Sequence, residues 1–174
     1  SGIHHMYTII DLGQLGSYGL SFWLPLASAA NVAQGGAALA VALKTRNKKL
    51  KSMALPASLS AFMGITEPAI FGVNLRFLRP FIAGSIGGAC GALYASIVGL
   101  GATGTGVTGI FGVLLHLHRP VQYLITIGIA TGVAFVLSWM FGIKEEEPDA
   151  QPEQAVEQAP ASAQLAAGQG EDAV

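Results

Sequence analysis

MALPASLSAFMGITEPAIFGVNLRF, residues 53–77, is apolar and long enough to cross a membrane, yet it is broken at its middle. Pro56 suits the first turn of a short helix that ends near Met63, with Gly64 as its C-terminal glycine. Pro68 suits the first turn of a second short helix. Each piece is then about 8 residues, or about 12 Å, too short to cross alone. Two half-helices meeting at a non-helical tip predict a re-entrant hairpin with its tip at residues 64–68. Irregular backbone at membrane depth is tolerated only against protein or a watery cavity.

The flanking sequence agrees with a membrane setting. Of 174 residues, 52% are apolar and 11% charged, against about 25% charged in an ordinary soluble domain. Mean hydropathy is +0.54. This composition excludes a wholly disordered chain, a nucleic-acid binder and a disulfide scaffold, and the single cysteine allows no internal disulfide. Residues 18–43 hold 26 residues without a charge, residues 80–100 form a second apolar run, and residues 121–142 form a third. Tyr18, Phe22, Trp23 and Trp139 suit interfacial positions. Gly84, Gly87, Gly88 and Gly91 give the second run a face for close helix packing. Residues 101–110, GATGTGVTGI, are too rich in Gly and Thr for a stable helix. The fold class expected is therefore an all-α polytopic membrane protein, with transmembrane helices plus the hairpin.

The net charge of −1 conceals a split. Residues 1–143 hold eight cations against Asp11 and Glu67, a net +6, while residues 144–174 hold Lys144 and eight acids, a net −7. Two parts are expected: a membrane body, 1–143, and a flexible acidic tail, 144–174. KTRNKKLK, residues 44–51, carries five of the cations and reads as cytoplasmic. If residues 53–75 re-enter, seven of the eight body cations and the tail share that side. The absence of an initiator Met or a signal peptide before SGIHH suggests that the sequence begins inside a longer polypeptide.

Few polar residues are placed to do chemistry. Glu67 is the only acid between residues 12 and 144, and it sits at the tip GITEP. A carboxylate there can accept hydrogen bonds from a polar substrate or take a proton from one; a plain helix cap at Thr66 or Glu67 is the alternative. Adjacent His4 and His5 point about 100° apart on a helix, so one can face a cavity while the other packs. Asp11 lies two turns on and either orients a histidine or ends the helix. Asn31 and Gln34 share a helix face in a charge-free span, where they either join helices or meet a ligand. His116 and His118 lack further ligands at metal spacing, so no metal and no cofactor are expected. Cys90, in a Gly/Ala-rich run, reads as structural.

SGIHH, ANVAQGGA and GITEPAIFGVNLRFLRPF resemble the enzyme IIC domain of the bacterial phosphoenolpyruvate-dependent sugar phosphotransferase system. The resemblance is to the glucose–sucrose superfamily, runs from Ser1 to about Ile143, and is strongest to sucrose-specific members, with trehalose-specific ones close behind. It implies a part of a permease that imports a disaccharide and presents its hydroxyl to a phosphocysteine on a IIB domain, itself charged by a IIA phosphocarrier. It implies a homodimer in the complete protein, in the bacterial cytoplasmic (inner) membrane, with the tail cytoplasmic. It makes Glu67 the catalytic carboxylate and one of His4 and His5 a sugar contact; the substrate-binding set expected is His4, His5, Asn31, Gln34, Thr66, Glu67 and Asn74. The chain has no IIB cysteine motif, so it is expected to be inactive alone, as the C-terminal half of a IIC domain. The competing functions are an ion- or proton-coupled sugar transporter that leaves its substrate unmodified, and a purely structural membrane subunit.

Overall fold

The computed structural model describes residues 4–141; the side chains of His4 and His5 and all of residues 142–174 lie outside the described residues. The order is α1 (His4–Tyr18), α2 (Trp23–Lys44), α3 (Lys48–Phe62), α4 (Glu67–Ala69), a π-helical turn (Ile70–Asn74), α5 (Leu75–Phe77), α6 (Arg79–Val98), a 3-10 helix (Gly109–His116) and α7 (Pro120–Phe141). No strand is present among the described residues, only one antiparallel bridge between Ser21 and Ala102. Helices α2, α6 and α7 are each long and apolar enough to cross a membrane.

These three helices pack on one another through small residues. A methyl group on Gly87 would lie 2.6 Å from the Ala130 carbonyl oxygen of α7, and one on Gly36 would lie 2.8 Å from the Thr131 carbonyl oxygen. Only glycine permits backbones this close, which is how helices gain contact where lipid supplies no hydrophobic drive. Ala29, Val32, Ala33 and Ala37 of α2 meet Ala130 and Ala134 of α7 in a fully buried seam. Buried hydroxyls add interhelical bonds: Ser58 Oγ donates to the Gly35 carbonyl at 2.8 Å, and Ser138 Oγ to the Ala37 carbonyl at 3.1 Å.

The helix ends show which termini lie together. Lys44 Nζ donates to the Trp139 carbonyl at 2.5 Å and sits over the indole ring, while Arg79 Nη1 donates to the Phe141 carbonyl at 2.8 Å. The last carbonyls of α7 thus take two cations, the favourable sign at a helix C-terminus. At the opposite end, Arg119 Nη1 donates to the Val98 carbonyl closing α6 at 3.2 Å.

Residues 48–77 fold back on themselves. The first arm is α3, and the second runs through α4, the π-helical turn and α5. Gly72 of the second arm faces Met53 of the first, and Ala54, Ala57, Ala61, Ala69 and Val73 are buried between the arms and α2. The arms begin and end beside Lys44 and Arg79, so both roots lie at the basic end of the helices. The second arm starts with Pro68 in its first turn, as the sequence indicates. The first arm does not start at Pro56. It starts at Lys48, where Asn47 Oδ1 accepts from the Lys49 N–H at 2.9 Å and the Leu50 N–H at 3.4 Å, and Pro56 lies inside it. That gives 15 residues, or about 22 Å, rather than about 12 Å. The N-cap outweighs the proline signal because it satisfies two otherwise unpaired donors.

Two further boundaries differ from the sequence reading. Tyr18 to Phe22 do not belong to the first span. Instead α1 ends at Tyr18, Gly19 takes φ +69°, and α2 begins at Trp23. Asp11 does not end a helix: it is buried inside α1 and accepts from the Ser21 hydroxyl, while Gln14 Oε1 accepts from the Phe22 N–H at 2.9 Å.

Candidate functional site

The hairpin tip is the place where non-helical backbone meets a carboxylate. Helix α3 closes at Phe62, and Gly64 takes φ +100°, a conformation that costs a side-chain-bearing residue about 1–2 kcal/mol. The Ile65 N–H returns to the Ser60 carbonyl at 2.9 Å, and Ser60 Oγ donates to the Ile65 carbonyl at 3.0 Å. These bonds turn the chain so that Thr66 takes the N-cap position and Glu67 the first helical one. The Thr66 side chain makes no capping bond, and the Glu67 side chain is exposed. The plain capping role open to Thr66 from sequence is therefore not what its hydroxyl does here.

Asn31 and Gln34, one turn apart on α2, both meet the hairpin region but at different levels. Asn31 Nδ2 donates to Thr108 Oγ1 at 2.9 Å, and Thr108 lies directly on Gly64 of the tip. Gln34 reaches the second arm. Asn74 Nδ2 donates to the Gln34 carbonyl at 2.9 Å and to Gln34 Oε1 at 2.8 Å. Both residues are buried, Asn74 completely. Asn74 Oδ1 is left without a partner, and Gly84 of α6 leaves the space that the Gln34 amide fills. The π-helical turn that ends at Asn74 brings its amide against α2; such turns insert one residue per turn and recur at functional places.

Gln34→Leu removes one of the two bonds from Asn74. Interhelical hydrogen bonds of this kind are worth about 0.6 kcal/mol on average. A small drop in melting temperature is the expected result; an unchanged melting temperature would mean that this bond does not help to hold the second arm.

Thr108 and Tyr123 are the residues that sequence reasoning missed. Gly109 takes φ +69° and packs its Cα face against the Phe62 carbonyl and the Gly64 nitrogen. Its own carbonyl accepts from the Tyr123 hydroxyl of α7 at 2.5 Å. Tyr123 is fully buried and stacks on His116 at 4.2 Å, and His116 Nδ1 lies 2.7 Å from the Gly112 carbonyl. Burial pushes His116 below the usual imidazole range, against the opposing pull of the Gly112 carbonyl. His116 is thus spent on packing and His118 is exposed. Among the described residues, no three His, Cys, Asp or Glu side chains converge. A Gly/Thr-rich loop shows no periodicity that would mark Thr108 in advance.

The family model for the phosphotransferase system EIIC domain matches residues 1–88. The chain is 46% identical over 149 residues to the PTS system sucrose-specific EIIBC component of Salmonella typhimurium, covering 84% of this chain and 33% of that protein. It is 44% identical over 153 residues to the PTS system sucrose-specific EIIBC component of Bacillus subtilis (strain 168), with 84% and 33% covered. A PTS system trehalose-specific EIIBC component of Bacillus subtilis (strain 168) is 41% identical over 114 residues, covering 65% of this chain and 24% of that protein. No solved structure matches the chain. The chain spans about a third of the length of the curated sucrose-specific relatives it matches. With its spanning helices and the GITEP tip folded as described, the chain belongs to the phosphotransferase system EIIC family.

Proposed function

We propose that this chain is the sugar-binding and translocating part of a phosphotransferase-system permease that imports a disaccharide, sucrose first, and phosphorylates it during entry. The observation that carries this reading is Glu67, an exposed carboxylate at the tip of a hairpin set among membrane-spanning helices. The sucrose-specific relatives at 44–46% identity support the choice of sugar.

In this reading the sugar hydroxyl bonds to Glu67. Its oxygen attacks the phosphorus of a phosphocysteine on a IIB domain. The O–P bond forms, the S–P bond breaks, the cysteine leaves as thiolate, and Glu67 takes the hydroxyl proton. Thr66 lies at the tip beside Glu67, Asn31 holds Thr108 against it, and one of His4 and His5 is a further contact. Gln34 and Asn74 support the second arm. A IIA phosphocarrier recharges IIB, and the complete permease is a homodimer in the bacterial cytoplasmic membrane. Residues 1–143 form the membrane body and residues 144–174 a cytoplasmic tail.

We read the hairpin as re-entrant. Its roots lie beside Lys44 and Arg79, and its arms of about 22 and 16 Å are each shorter than the hydrocarbon core. The positive-inside rule puts that end in the cytoplasm. With Cys90→Ser as background, a cysteine placed at Gly106 is expected to label from outside, and one placed in residues 144–174 only after permeabilisation. External labelling of the tail would make residues 53–77 a full crossing.

The functional test is uptake of a panel of labelled disaccharides by the complete permease, with product analysis. Phosphorylated sucrose inside, dependent on a phosphoryl-donor protein, is the expected outcome. Unmodified sugar inside would indicate an ion-coupled transporter instead.

A further inference from the structure

The tip that carries Glu67 is gripped from outside the hairpin. Residues 108 and 109 lie across it, 77 residues along the chain from Asn31. Thr108 Oγ1 would be 2.5 Å from a methyl group on Gly64, so the hydroxyl rests directly on the backbone of the turn. The same oxygen accepts from Asn31 Nδ2 at 2.9 Å. Gly109, next in the chain, rests on Phe62 and Gly64 and is tied to α7 through Tyr123. The two residues therefore bridge α2 and α7, with the turn held beneath them. Asn31 lies 13 residues, or about 20 Å, from the Lys44 end of α2, which matches the length of the first arm.

We propose that Thr108 is a positioning residue for Glu67: its hydroxyl, fixed by Asn31, sets where the Gly64 turn sits and so where the carboxylate three residues later meets the sugar. Thr108 does not itself act on the substrate. The inference rests on the reading of Glu67 as the carboxylate that meets the reacting hydroxyl. The physical reason for a large effect is that a misplacement of about 1 Å at a reacting group can lower a rate about 100-fold. The bonds within the turn, from the Gly64 N–H to the Ala61 carbonyl at 3.0 Å and from the Ile65 N–H to the Ser60 carbonyl at 2.9 Å, tie it to the end of α3, whereas Thr108 ties it to α2.

The test uses the complete permease in membrane vesicles, with sugar phosphorylation from a phosphoryl-donor protein as the readout. Thr108→Val keeps the shape and removes the hydroxyl, and it is expected to lower the rate at saturating sugar by about 10- to 100-fold. Thr108→Ser keeps the hydroxyl and should stay within about threefold of the parent. The double variant Thr108→Val with Asn31→Leu should be no worse than the poorer single variant, because both delete one bond. If Thr108→Val fails to insert, Thr108→Ala removes the same hydroxyl without the branched side chain and carries the same expectation. A Thr108→Val rate within threefold of the parent, or a Thr108→Ser rate as low as that of Thr108→Val, would overturn the proposal. Multiplying effects in the double variant would do so as well. Glu67→Gln run in parallel separates the two failures. Normal phosphorylation by Glu67→Gln removes the reading of Glu67 and the proposal with it. A collapse in Glu67→Gln with normal Thr108→Val removes only the positioning role.

Discussion

Glu67→Gln is expected to lower sugar phosphorylation by about two to four orders of magnitude, the usual contribution of a general base. Glutamine fills the same space and still offers an oxygen to a hydroxyl, but it takes no proton at neutral pH. The side chain is exposed at the first position of the second arm and belongs to none of the buried clusters. The variant should therefore insert and melt like the parent, and the loss should fall on the chemical step. The measurement is the rate of sugar-phosphate formation in vesicles with a charged phosphoryl donor, alongside a melting curve in detergent. A near-parental rate would sink the assignment of Glu67 as base.

Gly109→Ala should be the most damaging of the glycine changes around the tip. Gly109 takes φ +69°, which an alanine adopts at a cost of about 1–2 kcal/mol. The new methyl group would also meet the Phe62 carbonyl oxygen, the Gly64 nitrogen at 2.8 Å and the Met63 carbonyl carbon at 3.1 Å. All three are backbone atoms, so relief requires the turn itself to move, and overpacking of this kind costs about 1–3 kcal/mol more. Gly106→Ala is the matched comparison, because Gly106 takes φ +96° with nothing within 4 Å of the added methyl. It should show only the conformational cost. Gly109→Ala is expected to lose markedly more thermal stability and to lose sugar phosphorylation. Equal stability of the two variants would contradict the close approach of Gly109 to the tip.

The parts of this protein legible in its sequence are those governed by local chemistry. Helices α2, α6 and α7 announce themselves because hydrocarbon demands about 20 apolar residues in a row. Gly64 and Pro68 mark the break in residues 53–77 because a left-handed turn and a first helical turn each select one residue type. Glu67 stands out because an acid in an apolar stretch needs a reason. The glycines of α6 show their packing role by spacing alone, and Gly84, Gly87, Gly88 and Gly91 are all buried.

Other features depend on neighbours distant in the chain. The start of α3 turned on Asn47, a cap hidden inside a run of cations, and a proline eight residues into the helix did not break it. The π-helical turn at Ile70–Asn74 exists where Asn74 meets Gln34 across 40 residues, and no local pattern encodes such a meeting. Asn31 and Gln34 were legible as a shared face, yet only packing assigned one to the tip and the other to the second arm. Thr108 was invisible in a Gly/Thr-rich loop because its partners lie on α2 and the hairpin. The spanning helices, the break and the carboxylate are readable from the residues alone, since each follows from how a contiguous stretch meets its surroundings or bends its own backbone. The tertiary structure alone decided what grips the tip, since a hydrogen bond between residues 77 apart is specified only when both chain segments have been brought together.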